Sequence, residues 1–175
     1  MKTIGLIGGM TWESSLEYYR IINETVWQKL GGFHSAQSIM YSVDFEPLEK
    51  WQHQGKWEYA AKLLADAARK LEKGGADFLV ICANTMHKLV PEVERHIKIP
   101  ILHIADVTAQ TIKKQKLRKV GLLGTRFTME EGFYKDRLVQ KHGLEVRQKE
   151  YRIPLFDTTK IHAQAAVEYA LDENP

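Results

Sequence analysis

The sequence predicts an α/β fold built from two similar parallel-sheet domains, of which the second is incomplete. Short apolar runs alternate along the chain with longer stretches of helical period, an alternation typical of βαβ units around a parallel sheet. An apolar, glycine-bearing segment at residues 4–8 recurs at residues 120–124, and the same offset carries Tyr18 onto Tyr134. This recurrence predicts a duplicated unit, although strand-glycine-helix segments resemble one another in any α/β protein.

The individual elements follow from the same two periods. Apolar runs bounded by turn-forming residues predict strands at residues 3–7, 38–43, 77–82, 101–104, 119–123 and 144–148. Helical spacing of apolar residues predicts helices at residues 13–30, 57–73, 86–96, 106–115, 130–141 and 158–171. In the second helix Ala60, Leu64, Ala67 and Leu71 share one face, and the glycine pair at 74–75 ends the helix.

The division into domains rests on Pro100 and on the repeat. Proline is tolerated at the start of a strand, so Pro100 marks a plausible boundary between a first domain at residues 1–98 and a partial second domain at residues 99–175. In the register of the repeat, the counterpart of Cys82 would lie beyond Pro175. We therefore expect the second domain to be unfinished in this chain.

Composition excludes several classes of protein. The 175 residues are 44% hydrophobic and 27% charged, which is typical of a soluble globular protein with a substantial core. The net charge of +3 comes from 25 basic and 22 acidic residues spread along the chain, so no nucleic-acid partner is indicated. No apolar run approaches the roughly 18 residues of a membrane helix, and no signal peptide is apparent. We expect a cytoplasmic protein without a membrane partner.

The loops after the predicted strands are the places to look for a site, because ligands bind beyond the carboxyl ends of parallel strands. In the loop at 8–11, small residues would let backbone amides approach a ligand, although this segment alone favours a tight strand-to-helix turn as the reason for the glycines. In the loop at 82–87, Cys82 precedes a helix whose positive end would lower the pKa of the thiol, so that it could act as a base. Asn84 and Thr85 could hold a carboxylate, and His87 could polarise the thiol.

Each of these features also has a purely structural interpretation. A cysteine at the end of a buried strand is often an inert small apolar residue. The third loop, at 44–54, is polar and aromatic, and Gln52 could reach a substrate there, but a solvated loop with one anchoring tryptophan explains most of its composition. The single cysteine excludes an internal disulfide, and the seven histidines are scattered without ligand spacing, so no metal site is expected.

Two segments together are similar to the aspartate/glutamate racemase family. They are Gly-Gly-Met-Thr-Trp-Glu-Ser at 8–14 and Gly-Ala-Asp-Phe-Leu-Val-Ile-Cys-Ala-Asn-Thr-Met-His at 75–87. The segment at 51–57 resembles the family's second-loop segment, and the segment at 120–125 resembles the start of its second domain. The resemblance covers nearly all of residues 1 to about 160.

This resemblance implies an amino-acid racemase of two α/β domains that needs no cofactor, pyridoxal phosphate included. A cysteine from each domain would flank the substrate's α-carbon, since inversion needs one base on each face. Cys82 would be the acid/base of the first domain, acting on aspartate, glutamate or a similar amino acid. A homodimer is also implied. The positions that match substrate-holding residues of the family are Met10, Gln52, Ala83, Asn84, Thr85 and Lys160.

The sequence departs from the family in its second half. The second family motif, Gly-Cys-Thr-Glu, is missing, together with the elements around it and the C-terminal segment that returns to the first domain. Two other functions therefore stay open. One is a non-catalytic protein that binds carboxylates or another subunit with the first half-site alone. The other is an enzyme like hydantoin racemase or maleate isomerase, which would use the cysteine as a nucleophile.

Overall fold

The first sheet consists of three parallel strands. A computed structural model describes residues 1–147 and 156–172 of the chain. The strands β1 (Ile4–Gly8), β2 (Ser38–Ser42) and β3 (Phe78–Ile81) lie in the order β2-β1-β3. Ile7 of the central strand is in register with Tyr41 of β2 and with Ile81 of β3. The carboxyl ends of all three strands therefore meet at one edge of the sheet, which confirms the predicted parallel arrangement.

Helices cover both faces of this sheet, as the strand alternation requires. α3 (Trp57–Lys73) packs on one face, and α1 (Trp12–Leu30) and α8 (Thr158–Leu171) pack on the other. No helix in the described part of the chain is long and apolar enough to cross a membrane. The face under α1 and α8 is formed by Ile4, Leu6, Phe78, Val80 and Cys82, and the face under α3 by Ile7, Leu79 and Ile81.

The segment at 44–54 is helical, and its interpretation as a solvated loop is wrong. α2 (Phe45–His53) begins after Asp44, whose side chain accepts a hydrogen bond from the Glu46 N–H. Pro47 lies in the first turn, where a backbone N–H has no partner within the helix, so the proline does not interrupt it. Leu48 and Gln52 lie one turn apart and are both buried. The polar composition concealed this short buried stripe.

Two other elements differ from their predictions because of residues that end or begin helices. The predicted helix at 86–96 is broken into a 3₁₀ helix (Thr85–Leu89), the short α4 (Val90–Val93) and a second 3₁₀ turn (Glu94–His96). Pro91 cannot follow four residues of regular α-helix without a clash, which explains the break. The predicted strand at 101–104 is reduced to one bridge from Ile101 to Leu79, because α5 (Ile104–Lys114) begins there with the His103 side chain as its cap.

The second half forms a smaller parallel pair with its own core. β4 (Lys119–Gly121) pairs with β5 (Glu145–Arg147), and Gln148 at the end of the predicted strand lies outside the described residues. Where one helix was predicted at 130–141, the chain forms α6 (Arg126–Glu130), α7 (Gly132–Asp136) and a π turn (Arg137–Lys141). The core of this half consists of Ile104, Ala105, Ala109, Ile112, Val120, Tyr134, Leu138 and Leu144.

The two halves of the chain have similar features and are connected through α8. Each half contains a parallel strand pair joined by helical segments, and Tyr18 and Tyr134 are both 1% exposed in their respective cores. α8 lies against the first sheet, where the Lys2 N–H donates to the Ala170 carbonyl at 2.8 Å. A C-terminal helix thus does return to the first sheet, contrary to the expectation that this chain lacks a returning segment. Duplication and the boundary near residue 98 stay predictions.

We predict that Gly9→Ala destabilises the protein by at least about 3 kcal/mol. Gly9 has a φ of +91°, and an added Cβ would clash with the Val43 backbone between β1 and β2. Gly55→Ala is the matched control: its φ is +69° but nothing lies within 4 Å of the added atom, so only the backbone cost of about 1 kcal/mol is expected. Urea unfolding of both variants measures the difference, and equal losses would contradict the close approach at Gly9.

Candidate functional site

The carboxyl edge of the first sheet is held tightly at the ends of its strands. The Cys82 N–H donates to the Ile7 carbonyl at 2.9 Å, and the Val43 N–H donates to the Gly8 carbonyl at 3.0 Å. The Gly9 N–H donates to the Ser15 hydroxyl at 2.8 Å, which ties the first loop to α1. The backbone positions around a candidate site are therefore fixed before any ligand binds.

Asn84 and Thr85 connect this edge with the second half of the chain. The Asn84 amide donates to the Thr158 hydroxyl at the start of α8, at 3.3 Å. The Thr85 and Thr125 hydroxyls lie 3.4 Å apart, and Thr125 follows β4 just as the first loop follows β1. A hydroxyl can donate or accept, and an amide can do both, so this cluster can bind a carboxylate. Its residues come from both halves of the chain.

A second contact between the halves lies beside this cluster. The Lys88 ammonium is 3.9 Å from the centre of the Trp57 ring and 2.6 Å from the Glu131 carboxylate. The ring of Trp57 also meets Phe127 edge-on, with ring centres 5.7 Å apart. Thr85 and Lys88 are three residues apart on one 3₁₀ helix, where such residues lie on the same side. That side of the 3₁₀ helix therefore faces the second half.

Cys82 lies in the core rather than at an open cleft. Its side chain is fully buried in the same apolar cluster as Tyr18 of α1 and Ala163 of α8. Burial raises the pKa of the Cys82 thiol well above its ordinary value. The expected lowering by a following helix is therefore wrong for this arrangement: the strand alternation turns Cys82 toward α1 and α8, and only a five-residue 3₁₀ helix follows.

Next to Cys82, a buried group of polar rings joins α1 to α8. The Tyr18 hydroxyl donates to Nδ1 of His162 at 2.7 Å. The assignment follows because Nε2 of His162 is 2.7 Å from the Leu102 carbonyl, which only accepts, so that nitrogen carries the proton. Nδ1 of His87 likewise donates to the Ala83 carbonyl at 2.8 Å, and His87 Nε2 is a buried acceptor with no hydrogen-bond partner among the described residues. The His87 ring lies 4.8 Å from that of His103 and 5.4 Å from that of His162.

All three of these histidines are held in the neutral form. Burial lowers the pKa of each of them to about 3. A neighbouring group also lowers each pKa: His103 lowers that of His87, Arg137 that of His103, and His87 that of His162. Burial also raises the pKa of Tyr18. Near neutral pH the surroundings of Cys82 therefore carry dipoles and no net charge from these rings.

Charge is concentrated instead on the outer side of α5. Asp106 accepts hydrogen bonds of 2.7 to 2.8 Å from Arg137, Lys141 and His142. Partial burial alone would raise the pKa of Asp106, but the hydrogen bonds from these three residues outweigh it and hold that pKa well below its usual range. This ion cluster fastens the π turn to α5. In the described ranges no three His, Cys, Asp or Glu side chains are placed to hold a metal ion.

The other residues singled out in the sequence fall in three places. Met10 is buried in the core cluster under α3, and Gln52 is buried on α2. Ala83 lies in the loop after β3 and offers its carbonyl to His87. Lys160 is exposed in the first turn of α8 and lines a groove of about 230 Å³ between α8 and α1 with Glu17, Arg20 and Asp157. The structure brings Asn84 and Thr85 together with the second half, whereas Lys160 lines a separate groove.

Sequence reasoning missed several residues that meet the candidate site. The sequence contains a clue to Thr125, because this residue follows the second copy of the repeated glycine segment as Gly9 follows the first copy. It contains no clue to the contacts of Thr158, Tyr18 and His162, because these contacts join positions 60 to 144 residues apart in the chain.

Comparison with known proteins assigns the chain to a family. The sequence profile described as Asp/Glu/Hydantoin racemase matches residues 7–152. The broad specificity amino-acid racemase RacX of Bacillus subtilis is 33% identical over 90 residues, which are 51% of this chain and 39% of that protein. The chain thus matches less than two thirds of that relative's length.

Solved structures resemble the chain over almost its whole length. A candidate Asp/Glu racemase from Yersinia pestis is 41% identical with a TM-score of 0.92, and the match covers 98% of this chain and 100% of that one. An aspartate racemase homologue from Pyrococcus horikoshii is 29% identical with a TM-score of 0.86, again over 98% and 100% of the two chains.

The buried histidines predict a loss of stability in mild acid. A histidine that titrates near 6.5 when unfolded and at about 3 when folded stabilises the fold above pH 6.5, and that stability is lost as the pH falls toward 3. We expect His162→Gln to reduce the loss in unfolding free energy between about pH 7 and about pH 5 by about 2 kcal/mol. His34→Gln, on an exposed loop, is the control and should keep the wild-type loss. Urea unfolding at each pH measures it, and an identical loss in all three proteins would contradict the neutral state of His162.

Proposed function

Because this chain belongs to the Asp/Glu/hydantoin racemase family, we propose that it supplies the Cys82 half of an amino-acid racemase site. Its reaction would be proton exchange at the α-carbon of aspartate, glutamate or a related amino acid. Cys82 would be one acid/base, and Asn84, Thr85 and Thr125 would hold the substrate. No cofactor is part of this proposal. A homodimer and a cytoplasmic location stay predictions.

The observation that carries the proposal is the junction directly after Cys82. Within three residues of the thiol, Asn84 and Thr85 reach Thr158 and Thr125 of the second half, at 3.3 and 3.4 Å. An amino acid needs several donors converging on its carboxylate, and side-chain donors from both halves of the chain meet here. The contact between the Thr85 and Thr125 hydroxyls is long, and the Thr125 hydroxyl also lies 3.2 Å from the Thr128 hydroxyl. A carboxylate with its full charge would compete well with these uncharged partners.

The resting thiol suits one of the two proton transfers better than the other. A raised pKa keeps Cys82 protonated near neutral pH, and a protonated thiol can deliver a proton to a carbanion. Removal of a proton needs the thiolate, which desolvation disfavours in this arrangement. Cys82 would therefore start the cycle as the acid, opposite a base on the other face of the substrate. That base is not among the residues we assign.

Fixed dipoles would have to stabilise the carbanion. The α-proton of an amino acid is very weakly acidic, so the site must lower the energy of the negative charge that develops when the proton leaves. The neutral histidines supply no positive charge, whereas the amide of Asn84 and the hydroxyls of Thr85 and Thr125 can each donate a hydrogen bond. Donors that are already in position cost little reorganisation at the moment of reaction.

Burial of Cys82 favours a second candidate function. A thiol that is fully covered and protonated behaves as a small apolar side chain, so the donor cluster could serve a protein that binds carboxylates without catalysis. In that case the chain would bind an amino acid or a dicarboxylate and exchange no proton.

The decisive measurement is proton NMR in deuterium oxide with both enantiomers of aspartate and glutamate and with a monosubstituted hydantoin. We expect the wild-type chain to exchange the α-proton of at least one amino acid, and Cys82→Ser to lower the rate at least about 100-fold because an alcohol is a far weaker acid/base. The variant should stay folded, since serine fits the space, although its buried hydroxyl lowers the unfolding midpoint.

Two results would contradict the proposal. Unchanged exchange by Cys82→Ser would remove Cys82 from the reaction. Absence of exchange by the wild-type chain with every substrate would favour the binding function instead. Proton exchange of the hydantoin alone would support proton transfer by this site and would show that its substrate is a hydantoin and not a free amino acid.

Titration calorimetry with aspartate and glutamate tests the donor cluster independently of catalysis. We expect Thr125→Val to weaken binding at least about tenfold, because one hydrogen bond to a charged group is lost. Thr111→Val is the matched control, since the Thr111 hydroxyl donates only to the Val107 carbonyl of its own helix. Equal affinities in the two variants would place the carboxylate elsewhere.

A further inference from the structure

α8 packs against α1 and α5 and shares the buried cluster that contains Cys82, and two hydrogen bonds of His162 anchor its second turn there. Its buried side chains are His162, Ala163, Ala166, Val167 and Ala170. Four of these five are small or β-branched, so they remove little apolar surface from water compared with a leucine-rich helix. The ring of His162, in contrast, has both nitrogens bonded, to the Tyr18 hydroxyl and to the Leu102 carbonyl, each at 2.7 Å.

We propose that Tyr18 and His162 are positioning residues that seat α8 over the Cys82 thiol and hold Thr158 against Asn84, so that a shift of α8 admits a substrate to Cys82. This inference rests on the proposed role of Cys82 as an acid/base. It adds the residues that govern access to the thiol and the helix that must move.

The spacing of Thr158 and His162 along α8 links the contact at Asn84 to the contact at Tyr18. Thr158 and His162 are four residues apart, so they lie on the same side of α8, one turn from each other. Thr158 accepts from the Asn84 amide, and His162 accepts from Tyr18. A displacement that releases the His162 ring therefore also moves the hydroxyl that orients Asn84. The thiol and the donor cluster would become available together.

Beyond this pair, α8 is held by its small buried side chains, which pack against α1 and α5, and by contacts at its far end. At its far end the Lys2 N–H donates to the Ala170 carbonyl at 2.8 Å, and Tyr169 packs on Phe78 with ring centres 4.7 Å apart. These contacts can stay in place while the first turns of α8 move. A segment that buries little apolar surface can open locally before the whole fold unfolds.

Access to the thiol can be measured directly, because Cys82 is the single cysteine of the sequence. We would follow the reaction of dithiodipyridine with the native wild-type chain and with Tyr18→Phe, near pH 7. The wild-type rate should be at least about 100-fold below that of the same chain in concentrated urea. Tyr18→Phe should react about tenfold faster, because opening no longer breaks the bond to His162.

The chain offers a matched control and a conservative variant. Tyr19→Phe removes the hydroxyl of the neighbouring exposed tyrosine and should leave the rate unchanged. His162→Ala should react at least as fast as Tyr18→Phe. His162→Gln should restore part of the protection, since its amide can accept from Tyr18 and donate to Leu102. If His162→Ala does not fold, the comparison of Tyr18→Phe with Tyr19→Phe still decides.

The dependence on urea separates a shift of α8 from global unfolding. At low urea concentrations a local opening gives labelling rates almost independent of urea, because little surface is exposed. Labelling that follows the full slope of equilibrium unfolding would overturn the inference, and so would a native rate equal to that of a free thiol, or equal rates in Tyr18→Phe and Tyr19→Phe.

Labelling requires no catalysis, so this inference and the proposed function fail separately. Protection of the thiol with the expected order of variants, but no proton exchange by any of them, would refute the acid/base role and leave the cover over Cys82 intact. Proton exchange that depends on Cys82, with labelling insensitive to Tyr18, would refute the cover and leave the proposed function standing.

Discussion

The alternation of side chains along β3 is the constraint on which the rest of the site depends. Because Leu79 and Ile81 face α3, Phe78, Val80 and Cys82 must face α1 and α8. The parallel register with β1 fixes where this alternation ends, at the bond from the Cys82 N–H to the Ile7 carbonyl. A slip of one residue would turn the thiol toward the other face and take it away from Tyr18. The same geometry that fixes the position of Cys82 therefore also buries it.

The two halves of the chain are joined by polar contacts of different kinds. Near the edge of the sheet the contacts are single hydrogen bonds between uncharged groups, at Asn84 and Thr85, which a ligand can replace. Beside them the ion pair of Lys88 and Glu131 spans the same boundary with partly exposed charges, and such a pair contributes at most about 1 kcal/mol. The ion cluster at Asp106 lies entirely within the second half. The boundary is thus held weakly where a ligand would enter.

Much of the architecture was predictable from local patterns, and the candidate site only in part. The helices at Trp57–Lys73 and Thr158–Leu171 have the predicted bounds, because their periodicity and end signals agree. Short elements were less predictable: α2 was hidden by its polar composition, and Pro91 divided a helix whose spacing looked continuous. Asn84 and Thr85 were singled out from their place after a strand, and their role in a site stays a prediction. The rise in the pKa of Cys82 was not predicted. It depends on the packing of α8, which lies about 80 residues further along the chain, and no local pattern encodes that packing.

The buried imidazoles explain how a polar group can surround the thiol without ionising it. The His87 ring lies 4.8 Å from the His103 ring and 5.4 Å from the His162 ring, so protonation of His87 would place a charge beside two neutral rings without solvent. Nε2 of His87 has no hydrogen-bond partner within the described part of the chain and carries a desolvation penalty as an acceptor, and its protonation would satisfy no further acceptor there. The cluster therefore stays neutral and acts through hydrogen-bond direction: Tyr18 toward His162, His162 toward Leu102, and His87 toward Ala83. The bond from His87 to Ala83 fixes the loop that carries Asn84, and the ring contact of 5.4 Å between His87 and His162 joins that loop to α8. The electrostatics of the thiol and the position of α8 are therefore two consequences of one packed group of rings.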